Sequence, residues 1–109
     1  MKTYYHVTKM AYLDSILRHG LIPFIGPLSK SCGEDVSRIY LFPDLQSMET
    51  ALSAWLGDAL NEEYGEDTKF CSLKITLPDD FPIQTGSVPY ESYSYDVIPP
   101  NFITYLKEE

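Results

Sequence analysis

Hydrophobic and polar positions alternate most cleanly over KFCSLKITLP, residues 69–78. Cys71, Leu73, Ile75 and Leu77 fall on one side, and Ser72, Lys74 and Thr76 on the other. A period of two predicts a strand with one buried face. The start of the chain has a different grain. YYHV, residues 4–7, is short, aromatic and β-branched, which predicts a strand. Thr8 then offers a helix N-cap, and Met10, Leu13, Ile16 and Leu17 recur at helical spacing. Arg18 and His19 suit the negative end of that helix, Gly20 its C-terminal stop and Pro23 the chain beyond. A helix over about 9–19 is expected.

The middle of the chain continues the pattern. Residues 24–37 carry Gly26, Pro27, Gly33 and serines at 29, 31 and 37, which predicts a long loop of the kind that often binds ligands. RIYLF, residues 38–42, predicts a strand closed by Pro43, with Asp44 or Ser47 capping the next helix. Leu45, Met48, Leu52, Trp55, Leu56 and Leu60 form one apolar stripe, so a single amphipathic helix with Met48 and Trp55 in the core is expected. A second long connection covers 78–89. ESYSYDVI (91–98) predicts a strand with Glu91, Tyr93, Tyr95 and Val97 on one face. FITYL (102–106) predicts a last strand, with Lys107–Glu109 as a charged tail. Helices come early and strands late. The fold class is therefore α+β, with a mixed or antiparallel split sheet and two principal helices. At 109 residues, one domain over 1–109 is the expectation.

Charge narrows the choice of partner. Eight Lys and Arg stand against sixteen Asp and Glu, a net charge of −8. Phosphate-backbone binding needs clustered cations, so a nucleic-acid partner is disfavoured. Arg18 and Arg38 are the only arginines, so any anion site must be local. Nine tyrosines supply flat apolar faces with polar tips, suited to clefts as well as cores. Cys32 and Cys71 form no CxxC pair and read as free thiols, a single disulfide being the alternative. Met1–Met10 lacks an apolar signal core, and no run approaches the roughly 18 apolar residues of a membrane helix. A cytoplasmic protein without membrane partners is expected.

Other features carry plainer readings. The helix dipole accounts for His19. Glu62, Glu63, Glu66 and Asp67 lack the loop spacing of a calcium site and read as a solvated turn. The loop around Lys30 lacks the Gly-Lys-Ser/Thr of a phosphate loop, and no metal site is expected.

Three stretches form a set: YYHVT ahead of a helix ending in HGLIP, RIYLF after a loop, and YESYSYDVIPPNFI near the end. Their order resembles the His-Tyr-Glu branch of the ADP-ribosyltransferase fold, which includes diphtheria-toxin-like and poly(ADP-ribose) polymerase-like catalytic domains. The resemblance spans residues 4 to about 103. It implies Glu91, His6 and Tyr40 as catalytic residues. It also implies His6, Thr8, Tyr40 and Arg38 as contacts to NAD, the substrate, with a macromolecular (protein) acceptor for ADP-ribose. The chemistry is coherent on its own terms. Cleaving the nicotinamide–ribose bond passes through an oxocarbenium-like state, which a carboxylate stabilises. Pro89 stands where arginine-modifying members carry a second polar side chain, so a guanidinium acceptor is disfavoured. Two arginines fit the tRNA phosphotransferase branch poorly. The rival reading is a catalytically inactive scaffold of the same fold, serving as a protein-binding module.

Overall fold

The alternating segment becomes the central strand of an antiparallel sheet. In the computed structural model, which describes residues 1–23, 38–65, 67–86 and 92–109, β3 (Phe70–Leu77) lies between β1 (Lys2–Lys9) and β6 (Ile103–Glu108). Cys71, Leu73, Ile75 and Leu77 are buried and Lys74 is exposed, as the alternation requires, but Ser72 on the other face is also buried, its hydroxyl donating to the Lys107 carbonyl at 3.3 Å. Burying an aliphatic side chain of this size stabilises the fold by about 1.5–3 kcal/mol. All eight residues of β1 pair with β3, from Lys2 opposite Leu77 to Lys9 opposite Phe70.

A second antiparallel sheet has the order β2 (Ile39–Leu41), β5 (Ser92–Ser94), β4 (Gln84–Thr85). Ile39 and Leu41 turn inward and share one apolar cluster with Leu73, Ile75, Leu77, Leu21 and Ile98. Three α-helices are described: α1 (Leu13–His19), α2 (Leu45–Leu52) and α3 (Trp55–Tyr64). Ile16 of α1 joins the same cluster. Met48 and Ala51 are buried outside it, where α2 lies against β1 and α3. The class is α+β, with two three-stranded antiparallel sheets.

Several sequence expectations need correction. Thr8 caps no helix, because β1 continues through Lys9 and Thr8 pairs with Cys71. The ladder satisfies the backbone there, so the helical segment begins later, as a 3₁₀ turn at Met10–Tyr12 followed by α1. The single stripe over 45–60 breaks into α2 and α3. Asp44 caps α2 as expected, accepting from the Ser47 N–H at 2.6 Å. Ser53 then bonds its hydroxyl to the Glu49 carbonyl, and Ala54 takes φ −130° and ψ −112°, outside the helical region. Gly57 permits this break: a Cβ there would lie 2.0 Å from the Leu52 carbonyl oxygen. The turn rotates Trp55 out of the stripe, leaving it 53% exposed rather than in the core. β5 is shorter than ESYSYDVI suggests, because the Ser94 hydroxyl donates to the Asp96 carbonyl and accepts from its N–H, closing a turn. β4 arises within a segment read as connection, and Lys107 and Glu108 belong to β6 rather than to a tail. The predicted loop over 24–37 lies outside the described residues.

The chain leaving α1 is tied to the segment between β5 and β6. Leu21 and Ile98 exchange backbone hydrogen bonds of 3.0 and 2.9 Å, which Gly20 makes possible. Its φ of +87° is open to glycine, and a Cβ would meet the Ile98 carbonyl oxygen at 2.2 Å. Gly65 has a similar φ of +83° but nothing within 4 Å. Gly65→Ala is therefore expected to cost only backbone strain, about 1–3 kcal/mol. Gly20→Ala should cost distinctly more, because Ile98 must also move. Urea denaturation of the two variants side by side checks this; equal losses would contradict it.

Candidate functional site

The site begins where the two sheets stop pairing. Tyr5 of β1 and Phe42, just past β2, form one antiparallel bridge, with N–H···O distances of 2.9 and 2.7 Å. In a continuing ladder the next bonded pair, two residues along each strand, would be Val7 with Tyr40. Among the described residues that pair does not form. The Tyr40 carbonyl instead accepts a hydrogen bond from His6 Nδ1 at 2.6 Å. Because Tyr5 directs its N–H and C=O toward β2, Val7 directs its own the same way, and no backbone bond to either is present among the described residues. Among the described residues, nothing pairs with the Val7 peptide on this edge of β1.

The hydrogen bond fixes the state of the imidazole. A carbonyl can only accept, so Nδ1 carries hydrogen and Nε2 of the neutral ring carries the lone pair. Burial pushes the His6 pKa below its ordinary 6.5, outweighing the Tyr40 carbonyl, which raises it. The ring is therefore neutral near pH 7. Nε2 is not sealed in the interior as an unpartnered atom.

Tyr40 presents its ring on the face opposite Ile39 and Leu41. It stands directly across from Tyr93 of β5. Since the Tyr40 backbone faces β1, this is the non-hydrogen-bonded kind of pair, in which side chains come closest. Their ring centroids are 6.1 Å apart, and Tyr93 meets Tyr95 edge-on at 5.4 Å. The Arg38 guanidinium lies 4.6 Å from the Tyr93 centroid and 5.8 Å from that of Tyr95. A cation over aromatic faces is attracted by the ring quadrupole. The result is a shelf of three tyrosines and one arginine, with Tyr95 46% exposed at its outer end. Such a shelf can take a flat ring and place a positive charge beside it.

Of the residues singled out from sequence, His6, Tyr40 and Arg38 converge here. His6 touches the main chain of Tyr40, not its ring. Thr8 lies two residues along β1 from His6, on the same side of the strand, half-buried opposite Cys71. Glu91 immediately precedes β5 in the chain but lies outside the described residues, as do Cys32 and Lys30. Two features were not read from the sequence: the open edge at Val7 and the Tyr40–Tyr93 pairing. Alternation of tyrosines at 93 and 95 was a visible signal for the second. The first depends on where two strands far apart in sequence part company.

Other groups lie apart from the seam. Lys9 Nζ sits 3.8 Å from the Tyr64 ring centroid and 5.6 Å from that of Tyr12, tying the end of β1 to α3. Cys71 is buried and its thiol pKa is pushed up, mainly by burial, which makes it a poor nucleophile. A surface depression between α3 and the ends of β3 and β6, lined by Leu52, Asp58, Leu60, Phe70 and Glu109, shares no residue with the seam. No cluster able to hold a metal ion occurs among the described residues, and no helix among them is long and apolar enough to cross a membrane.

Comparison with known proteins finds no matching protein family, no matching curated protein and no matching solved structure. The functional reading therefore rests on the chain's own residues.

The lowered pKa of His6 has a measurable consequence. Unfolded, the ring binds its proton near pH 6.5; folded, it does so only at lower pH. Between the two values the unfolded chain holds more protons, so stability rises with pH across that window. The contribution is complete above 6.5 and lost as pH falls through the folded value. Urea midpoints followed from about pH 7.5 to about pH 5.5 should fall for the wild type and fall less for His6→Asn. An identical fall in both would contradict the assignment.

Proposed function

We propose that this domain is an ADP-ribosyltransferase-like enzyme that uses NAD and transfers ADP-ribose to a macromolecular acceptor. The observation that carries the reading is the seam: a neutral imidazole on β1 bonded to the Tyr40 carbonyl, a Val7 peptide with no backbone partner toward β2 among the described residues, and an arginine–tyrosine shelf on β2 and β5. Each part matches one part of the dinucleotide. The Val7 N–H and C=O fit a carboxamide, which offers the complementary acceptor and donor. The Tyr40 face suits the nicotinamide ring. His6 Nε2, an acceptor in this tautomer, suits a ribose hydroxyl. Arg38 supplies positive charge for the pyrophosphate in a chain of net charge −8.

Glu91 completes the chemistry in this reading. The bond between ribose C1′ and the nicotinamide nitrogen breaks, and its electron pair leaves with neutral nicotinamide. Positive charge develops on the ribose, and the Glu91 carboxylate stabilises it. A nucleophile on the acceptor then bonds to C1′ and gives up its proton. A protein acceptor belongs to the same reading, since a net charge of −8 disfavours nucleic acid. A silent interaction module on the same scaffold draws support from one feature, the exposure of Tyr95 and Val97 at 46% and 47% beside the shelf.

Incubating the purified protein with NAD and measuring nicotinamide release tests the proposal. The wild type should release nicotinamide, and Glu91→Gln should lower the rate about 10²–10³-fold, the usual cost of removing one group that stabilises a developing charge. A wild type that neither binds NAD nor releases nicotinamide would favour the interaction module.

A further inference from the structure

We infer that the depression between α3 and the ends of β3 and β6 docks a protein partner by taking up one of that partner's arginine side chains. None of the residues lining it belongs to the seam, so docking there does not rest on the nucleotide reading.

The depression follows from the break in the leucine stripe. At Ala54 the chain leaves the helical region, and Leu52, the last residue of α2, comes against Gly57 in the first turn of α3. α2 buries Met48 and Ala51, whereas α3 buries none of its residues completely. Its Leu60 stays half-buried and, with Leu52 and Phe70, gives an open hollow of about 420 Å³ an apolar lining. Gly65 lines one end, where a Cβ would meet nothing within 4 Å. The volume lies in the usual range of ligand pockets, about 300–1,000 Å³.

Charge selects the occupant. The two charged residues that line the hollow, Asp58 and Glu109, are both acidic. The Glu109 side chain is only 15% exposed, so it turns toward the protein rather than into solvent. The hollow also reaches Asn61 and Gly65 at the carbonyl end of α3, where the helix dipole favours a cation. The last turn of α3 nevertheless carries Glu62 and Glu63 and no basic residue. The neighbouring lysines have other partners. Lys107 Nζ lies 3.6 Å from Glu49 and 4.0 Å from Glu109, Lys69 pairs with Glu108 at 3.3 Å, and Lys9 lies over the Tyr64 ring. Asp58, Glu62 and Glu63 are left with no ion pair among the described residues. A guanidinium answers both halves of this surface. Its planar face suits Phe70, its donors suit Asp58, and its aliphatic stem suits Leu52 and Leu60. A net charge of −8 draws a basic partner toward such a site.

The experiment titrates the whole chain with the peptide acetyl-Gly-Arg-Gly-amide at about 0.15 M salt, where long-range attraction is screened, and follows backbone amides by NMR. Saturable shifts at Gly57, Asn61, Gly65 and Phe70 are expected. The same peptide with neutral citrulline in place of arginine should give none, and the lysine peptide should bind more weakly. Asp58→Asn should weaken arginine binding about 2- to 5-fold, the usual worth of one exposed ion pair. Asp58→Lys, an exposed change that sets a resident cation at the hollow, should abolish it while amide dispersion elsewhere is kept. Absence of binding, equal binding of the citrulline or lysine peptide, or unsaturable shifts spread over Asp14, Asp79 and Asp80 would overturn the inference, as would unchanged affinity in Asp58→Lys.

Discussion

The site depends on one interrupted hydrogen-bond ladder. β1 and β2 exchange backbone bonds at Tyr5 and Phe42, and among the described residues the next carbonyl along, that of Tyr40, accepts from the His6 imidazole. That bond sets the tautomer of His6, while the β2–β5 register places the Tyr40 ring against Tyr93. Burial, pairing and protonation state are here one arrangement seen three ways. The rest of the fold supplies rigidity around it. The full β1–β3 ladder holds β1, while pairing with β5 and the apolar cluster hold β2.

Electrostatics point the same way. A chain with twice as many acidic as basic residues repels polyanions over most of its surface. Arg38 lies on the faces of Tyr93 and Tyr95. In the proposed reading, a small ligand with one anionic segment suits this site better than an extended backbone of phosphates. A neutral histidine suits it too, since it offers an acceptor where a charged ring would offer only donors.

Local pattern and local chemistry were readable in the chain; competition between distant partners was not. The alternation through Cys71, Leu73, Ile75 and Leu77 located the central strand because a buried face dictates residue type along one strand. Asp44 marked a helix start because a cap is made within a few residues. Thr8 misled because its backbone had a rival partner, Cys71, more than sixty residues away in the chain. The leucine stripe over 45–60 misled because a helical period does not register a single non-helical residue, Ala54, which turns Trp55 outward. In the site, His6, Arg38 and Tyr40 stood out by type and order. The open edge at Val7 carries no signature of its own, since valine there looks like any strand residue. Its meaning comes from what its neighbour does to the opposite strand.

The most direct test of the whole account is a two-dimensional NMR titration of the wild-type protein with NAD. The account predicts shift changes concentrated on the Val7 and Tyr40 amides and the Tyr93 ring, with Leu73, one strand behind the seam, little affected. Changes confined to the depression between α3 and β6, or spread evenly over the acidic surface, would contradict it.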